Sequence, residues 1–240
     1  MSNLVYTIFM VKQNFFYTWL KIVLIGVAAG IANNAVILPS VNYISGLYLD
    51  TIFTAAATFA GGLVSGLISA VLTTVLYGFA NTVTTGTPYF GAYYLYMLCS
   101  IAVVLLIRLF TRLFPAESGT ARVVGGQESL YKGKIKQGSL FFMLAALSLV
   151  ICVVVSIMGG LISAGITAVT GVVDKSGPPE TYFRLGFIKL GFNLTASEIF
   201  ARIPVNIADK PIAVFGGFGI ALLTKKIKEK IAKNKTKKQS

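Results

Sequence analysis

Apolar residues fill this chain in long blocks, interrupted at a few points by charge, paired glycines or proline. Residues 22–38 carry no ionisable side chain, and as a helix these 17 residues are about 25 Å long, near the hydrocarbon thickness of a bilayer. Lys21 and Pro39 punctuate the two ends of this first span. Before it, residues 4–20 bring Phe15, Phe16, Tyr17 and Trp19 together, the make-up of a helix lying in the headgroup layer. The uncharged stretch 51–89 is divided by Gly61-Gly62, and a single helix over 51–80 would be about 45 Å long, too much for one crossing without strong tilt. Two crossings also leave Lys12, Lys21 and the basic segment 108–136 on one side after a fourth span at 92–107, as the positive-inside rule requires.

The first twenty or so residues of the uncharged stretch 137–173 predict span five. A glycine-rich extension with Gly159-Gly160, Gly165 and Gly171 then leads to a loop marked by Asp174, Lys175, Pro178 and Pro179. Residues 182–192 fit an amphipathic or re-entrant piece held by Arg184 and Lys189. Thr195-Ala196-Ser197-Glu198 matches a capping box that opens the last span, which runs to Leu223 with kinks or interruptions expected at Pro204 and Pro211. The expected architecture is an all-α membrane protein: a six-transmembrane-helix bundle with both termini cytoplasmic. Residues 1–21 form an N-terminal interfacial segment, 22–224 a single membrane domain and 225–240 a basic cytoplasmic tail, placing the chain as a multi-pass protein of a prokaryotic cell membrane.

Composition strengthens this picture, with 55% hydrophobic and 12% charged residues. Lys and Arg outnumber Asp and Glu by 21 to 8, a balance that elsewhere suggests nucleic acid. Here the basic residues concentrate in 108–136 and 225–238, so they mark sidedness, and the lysine tail suits anionic lipid headgroups. Cys99 and Cys152 both lie in apolar runs, which leaves neither a disulfide framework nor a CxxC metal site. The chain has no histidine, so imidazole acid–base catalysis and HExxH sites are excluded; no metal and no cofactor is expected. Paired carboxylates or a nucleophile with its base are also missing at recognisable spacing, which argues against an enzyme.

The polar residues inside the apolar blocks carry the functional signal. Arg202, Asn206 and Lys210 recur every four residues, so a helix sets them on one face with Asp209 beside them. Each charge left in lipid would cost about 2.5–3.5 kcal/mol on insertion scales, so these residues line protein or water, and a binding site is the default inference. With the predicted topology, Asn33, Asn34, Asn42, Asp50, Asn81, Tyr89 and Tyr93 gather at the same outer half, and amide, charged and aromatic groups together suit a small organic ligand. Structural roles stay open for several of them: Asn33-Asn34 as interhelical glue, Asp50 as a helix cap, the tyrosines as an interfacial belt, and Arg202 and Lys210 as snorkelling side chains or partners of Asp209. Gly26 with Gly30, and Ala28 with Ala32, form two small-residue ladders that flatten span one for docking against another membrane subunit.

In order along the chain, Ala28-Ala29-Gly30-Ile31-Ala32, the segment from Leu49-Asp50-Thr51 through Gly61-Gly62 to Gly66, and Asn206-Ile207-Ala208-Asp209-Lys210 resemble the substrate-binding S component of energy-coupling factor (ECF) transporters. The resemblance covers about residues 22–226. It implies a subunit without catalysis of its own that captures a vitamin-like organic micronutrient at the outer face. A transmembrane coupling subunit, docked at Ala28 and Ala32, and two cytoplasmic ATPase subunits would energise its release. The long basic segment 108–136 and the extended stretch before Pro178 depart from the family pattern and leave the ligand open. The alternative is a membrane sensory or scaffold module that recruits a soluble signalling partner through the basic loop and tail.

Overall fold

The structure is a computed structural model that describes the backbone of residues 2–43, 49–86, 88, 91–114, 137–171 and 178–237. Side chains are described for 16–36 and within the later segments, apart from 137, 178, 179, 232, 233 and 235–237. The described chain is helical throughout: α1 (Ser2–Tyr43), α2 (Ile52–Thr85), a 3-10 segment (Gly91–Tyr96), α3 (Met97–Leu113), α4 (Gln137–Thr170), α5 (Pro178–Lys189) and α6 (Leu194–Lys237). Among the described residues, five stretches are long and apolar enough to cross a membrane: Phe16–Val36, Ile52–Thr85, Gly91–Leu113, Gly138–Thr170 and Leu194–Ile231. This is a membrane protein.

The Ile52–Thr85 stretch is not a straight rod. Gly62 has φ 81° and ψ −165°, a conformation open essentially only to glycine, and the chain reverses there. In a continuous helix Thr54 and Ser69 would be about 22 Å apart along the axis, yet their hydroxyls are 2.9 Å apart. Residues 52–61 therefore form a short arm folded back along a long arm, 63–85. Ser65 and Gly66 make the close approach possible: a Cβ on Gly61 would strike the Ser65 side chain, and one on Gly66 would strike the Thr58 hydroxyl. The division at Gly61-Gly62 expected from sequence is thus a helical hairpin.

Contacts fix the directions. Gly26 packs on Ser65 and Ile68, and Gly30 on Leu72, so α1 and the long arm run parallel, with the short arm antiparallel to both. Phe59 stacks edge-on against Phe218, 5.3 Å between centroids, while the Leu49 amide meets Asp209, so the short arm runs parallel to α6. Gly160 lets α4 approach α6 at Ile199, where a Cβ would lie 2.7 Å from the Ile199 backbone. Taken in order, α1, the short arm, the long arm, α3, α4 and α6 alternate in direction, and α5 lies across one end.

Several sequence expectations change. α1 runs unbroken past both Lys21 and Pro39, so no helix break separates the expected interfacial segment from the first span. α4 is one helix from Gln137 to Thr170, so the predicted glycine-rich extension simply continues it. α6 likewise continues through Pro204 and Pro211 without interruption. Its first turn is capped by Asn193, whose Oδ1 accepts the Ala196 amide at 2.8 Å; the predicted Thr195–Glu198 box does not form because Glu198 is turned to Arg184.

The two ends of the bundle differ in chemistry. Toward the Gly62 turn and the lysine tail, Phe59, Val103, Ile107, Leu147, Ile151, Val214 and Phe218 form a continuous apolar core from four segments. Without a hydrophobic gain against lipid, such a core is held by close van der Waals packing, which the buried alanines and glycines permit. Toward α5, the interior becomes polar.

Candidate functional site

One face of α6 organises the polar half. Arg202 donates to Glu180 Oε1 of α5 at 3.1 Å and to the Tyr96 hydroxyl at 3.2 Å. Its guanidinium also lies 5.4 Å from the Tyr96 ring centroid, a cation–π distance, while its stem crosses Gly159 with 3.3 Å left for a Cβ. Tyr93 stacks on Tyr96 at 6.5 Å and 17°. One turn further along α6, the Asn206 amide donates to Ser156 of α4 at 2.9 Å. Another turn on, the fully buried Asp209 accepts the Leu49 amide at 2.7 Å and the Lys210 ammonium at 2.6 Å.

Lys210 is also 3.7 Å from Asp50, so a single ammonium serves two carboxylates. Asp50 lies just before α2. Loss of hydration raises its carboxyl above the ordinary carboxylate range; Lys210 opposes that rise and Asp209 adds to it. Leu49, next to it, has φ 48°, a left-handed conformation that a leucine holds only under outside constraint, and the hydrogen bond to Asp209 supplies one.

The Asn33-Asn34 pair is near this junction but has a different job. Asn33 is fully buried; its amide nitrogen donates to Thr54 at 2.8 Å and Thr73 at 2.9 Å, and its oxygen accepts the Phe53 amide at 3.0 Å. Both amide hydrogens and one acceptance at the oxygen tie α1 to both arms of the hairpin, which favours the interhelical role over a ligand contact. Asn34 donates to the Gly30 and Thr73 carbonyls, while its oxygen is buried without a hydrogen-bond partner.

The predicted residues thus divide into groups. Arg202, Asn206, Asp209, Lys210 and Asp50 converge with Tyr93 on one side of α6. Asn33 and Asn34 belong to the hairpin seam. The Asn81 side chain accepts a long 3.4 Å hydrogen bond from Thr85 of its own helix, apart from the α6 face. Asn42 and Tyr89 lie outside the residues whose side chains are described. Gly26 and Gly30 are buried against the long arm, whereas Ala28 is exposed and Ala32 half-buried. The two ladders therefore point to different faces, and the glycine ladder is internal packing.

Sequence reasoning missed the partners that make this arrangement. Glu180 falls between the expected loop and the 182–192 piece and carries no motif, Ser156 carries none either, and Glu198 fits a cap although it forms a buried pair with Arg184 at 3.0 Å. The alternation of two acids and two arginines across 180–202, Glu180, Arg184, Glu198 and Arg202, was the available signal. Among the described residues no group of three or more His, Cys, Asp or Glu is placed to hold a metal ion. No family model matches the chain, and no curated protein or solved structure is significantly similar to it.

Proposed function

We propose that this protein is the membrane-embedded solute-capture subunit of an ECF-type importer, binding a vitamin-like organic micronutrient at the α5 end of the bundle. The observation that carries the reading is the convergence on one α6 face. Arg202 reaches α5 and the 3-10 segment, Asn206 reaches α4, and Asp209 and Lys210 both reach the junction before α2. Charge in an apolar bundle is costly, and a chain that needed only packing would fill these positions with aliphatic side chains. With aromatic rings of Tyr93 and Tyr96 alongside, the composition is that of an organic-ligand site.

Six alternating segments suit such a subunit, and the basic residues of 108–136 and the tail favour a cytoplasmic Gly62 end under the positive-inside rule. The α5 end then faces outward, where a nutrient arrives. A transmembrane coupling subunit and two ATPase subunits would supply the energy, consistent with the absence of nucleotide-binding motifs in the chain.

The test is purification of the full chain in detergent, mass spectrometry of copurified small molecules, and thermal-shift screening against vitamins and nucleobase-like compounds. A compound that stabilises the protein, with affinity lowered at least tenfold by Asn206→Ala in a variant that still folds, is the expected result. A set of ligands all indifferent to Arg202, Asn206 and Asp209 would remove the site.

A further inference from the structure

The closing helix outruns the bundle. Leu49 meets Asp209 and Phe59 meets Phe218, a parallel register that sets the Gly62 turn level with Leu222 of α6. Ala221 is the last buried residue described in α6, and residues 225–231 are all exposed. The helix nevertheless continues to Lys237, which carries it about 22 Å beyond the turn.

This overhang has two kinds of surface. Leu223, Ile227 and Ile231 recur every four residues and are 59%, 58% and 52% exposed, so three aliphatic side chains form one open stripe. Around it, 225–237 holds seven lysines and a single acid, Glu229. Like charges one turn apart, such as Lys226 and Lys230, oppose the helix they sit on. The overhang therefore lacks both apolar cover and counter-charge.

Lipid does not meet both needs. Lys225 and Lys226 can reach headgroups, but Ile231 lies about 13 Å past the Gly62 turn. A helix leaving the membrane along its axis has the same surroundings on every side, so headgroups would select no single face. Lying flat on the surface would give it one apolar side, but that takes a break after the span, and 220–237 contains no glycine or proline and stays within one unbroken helix. Nor does this chain cover itself. A second copy would set lysine against lysine, and 115–136 brings Arg122, Lys132, Lys134 and Lys136 against only Glu117 and Glu128.

We infer that residues 223–237 dock on a separate acidic protein at the Gly62 side of the membrane, with the stripe seated in an apolar groove and the lysines met by carboxylates on its rim. α6 presents this segment already helical, which lowers the ordering cost that a loose tail would meet on binding. The inference goes beyond solute capture and is independent of it.

The test places photoreactive benzoylphenylalanine at Ile227, Ile231 or Glu229 of the full-length protein in its native membranes; Glu229 lies about 160° from Ile227 around the helix. One protein adduct is expected from Ile227 and Ile231 and none from Glu229, with the adduct identified by mass spectrometry as an acidic protein. Binding of that purified protein to the full chain in detergent is then expected to weaken at least tenfold between about 50 and about 300 mM salt. The double variant Ile227→Glu, Ile231→Glu should also weaken it at least tenfold while melting as the parent does. Adducts to lipid alone, to a second copy of the chain, to many proteins, or equally from all three positions overturn the inference, as does the lack of any adduct. So does a partner whose binding ignores salt or survives the double substitution. None of these results bears on solute capture at the α5 end.

Discussion

Asn33 shows how a residue picked for polarity acquires its role from geometry. Its three hydrogen bonds join α1 to the start of the short arm and the middle of the long arm. Polar contacts between membrane helices average about 0.6 kcal/mol, and a buried amide left without an acceptor costs about 1–3 kcal/mol. Asn33→Ala is therefore expected to lower unfolding free energy by about 2–4 kcal/mol, seen as a melting shift in detergent. Asn81→Ala, which loses only a contact within its own helix, is expected to change it by less than about 0.5 kcal/mol. Weakened solute binding with an unchanged melting point in Asn33→Ala would return that residue to the ligand site. The sequence could flag Asn33 as expensive in hydrocarbon, but not choose between glue and ligand contact, because the deciding partners, Thr54 and Thr73, lie 21 and 40 residues away.

Elements were more legible where a local rule decided them. Gly61-Gly62 marked a real reversal, since only glycine accepts the backbone angles found at Gly62. The glycines of α4 carried the opposite meaning: Gly159 and Gly160 admit Arg202 and Ile199 of α6 and leave the helix intact. Composition alone does not separate a glycine that bends from one that permits contact. The start of α6 has the same ambiguity, because Asn193 and Thr195 are both good caps and Glu198 fits the box until Arg184 is placed beside it. Arg184 and Glu198 fasten α5 to α6, and both are almost wholly buried. Arg184→Met or Glu198→Leu alone strands a buried charge and is expected to cost about 3–5 kcal/mol, whereas the double variant recovers most of it. A double-mutant cycle on melting free energies measures this, and additive losses would mean the two residues do not act as a pair.

For the whole molecule, the helical, membrane-embedded character was plain from the uncharged blocks, and the alternation of six segments follows once the Gly62 reversal is included. The docking surface was legible only in half. Positions two apart on a helix are about 200° apart, so Gly26 and Gly30 cannot share a face with Ala28 and Ala32. The structure assigns the glycines to the long arm and leaves Ala28 outward between Leu24 and Ile31, which are 56% and 54% exposed. A small residue between two exposed aliphatic ones makes a shallow, flat apolar strip, which lipid would cover as readily with a larger side chain at its centre. A partner helix would not tolerate that change, because close approach depends on the missing volume. Ala28→Trp separates the two cases. If a coupling subunit docks there, the variant should melt and bind solute as the parent does, yet lose uptake when reconstituted with its partner subunits, with Ala28→Gly retaining it. Uptake that survives tryptophan at this position would move the docking surface elsewhere, and loss of solute binding along with uptake would mean that residue 28 acts through the fold and not through a partner.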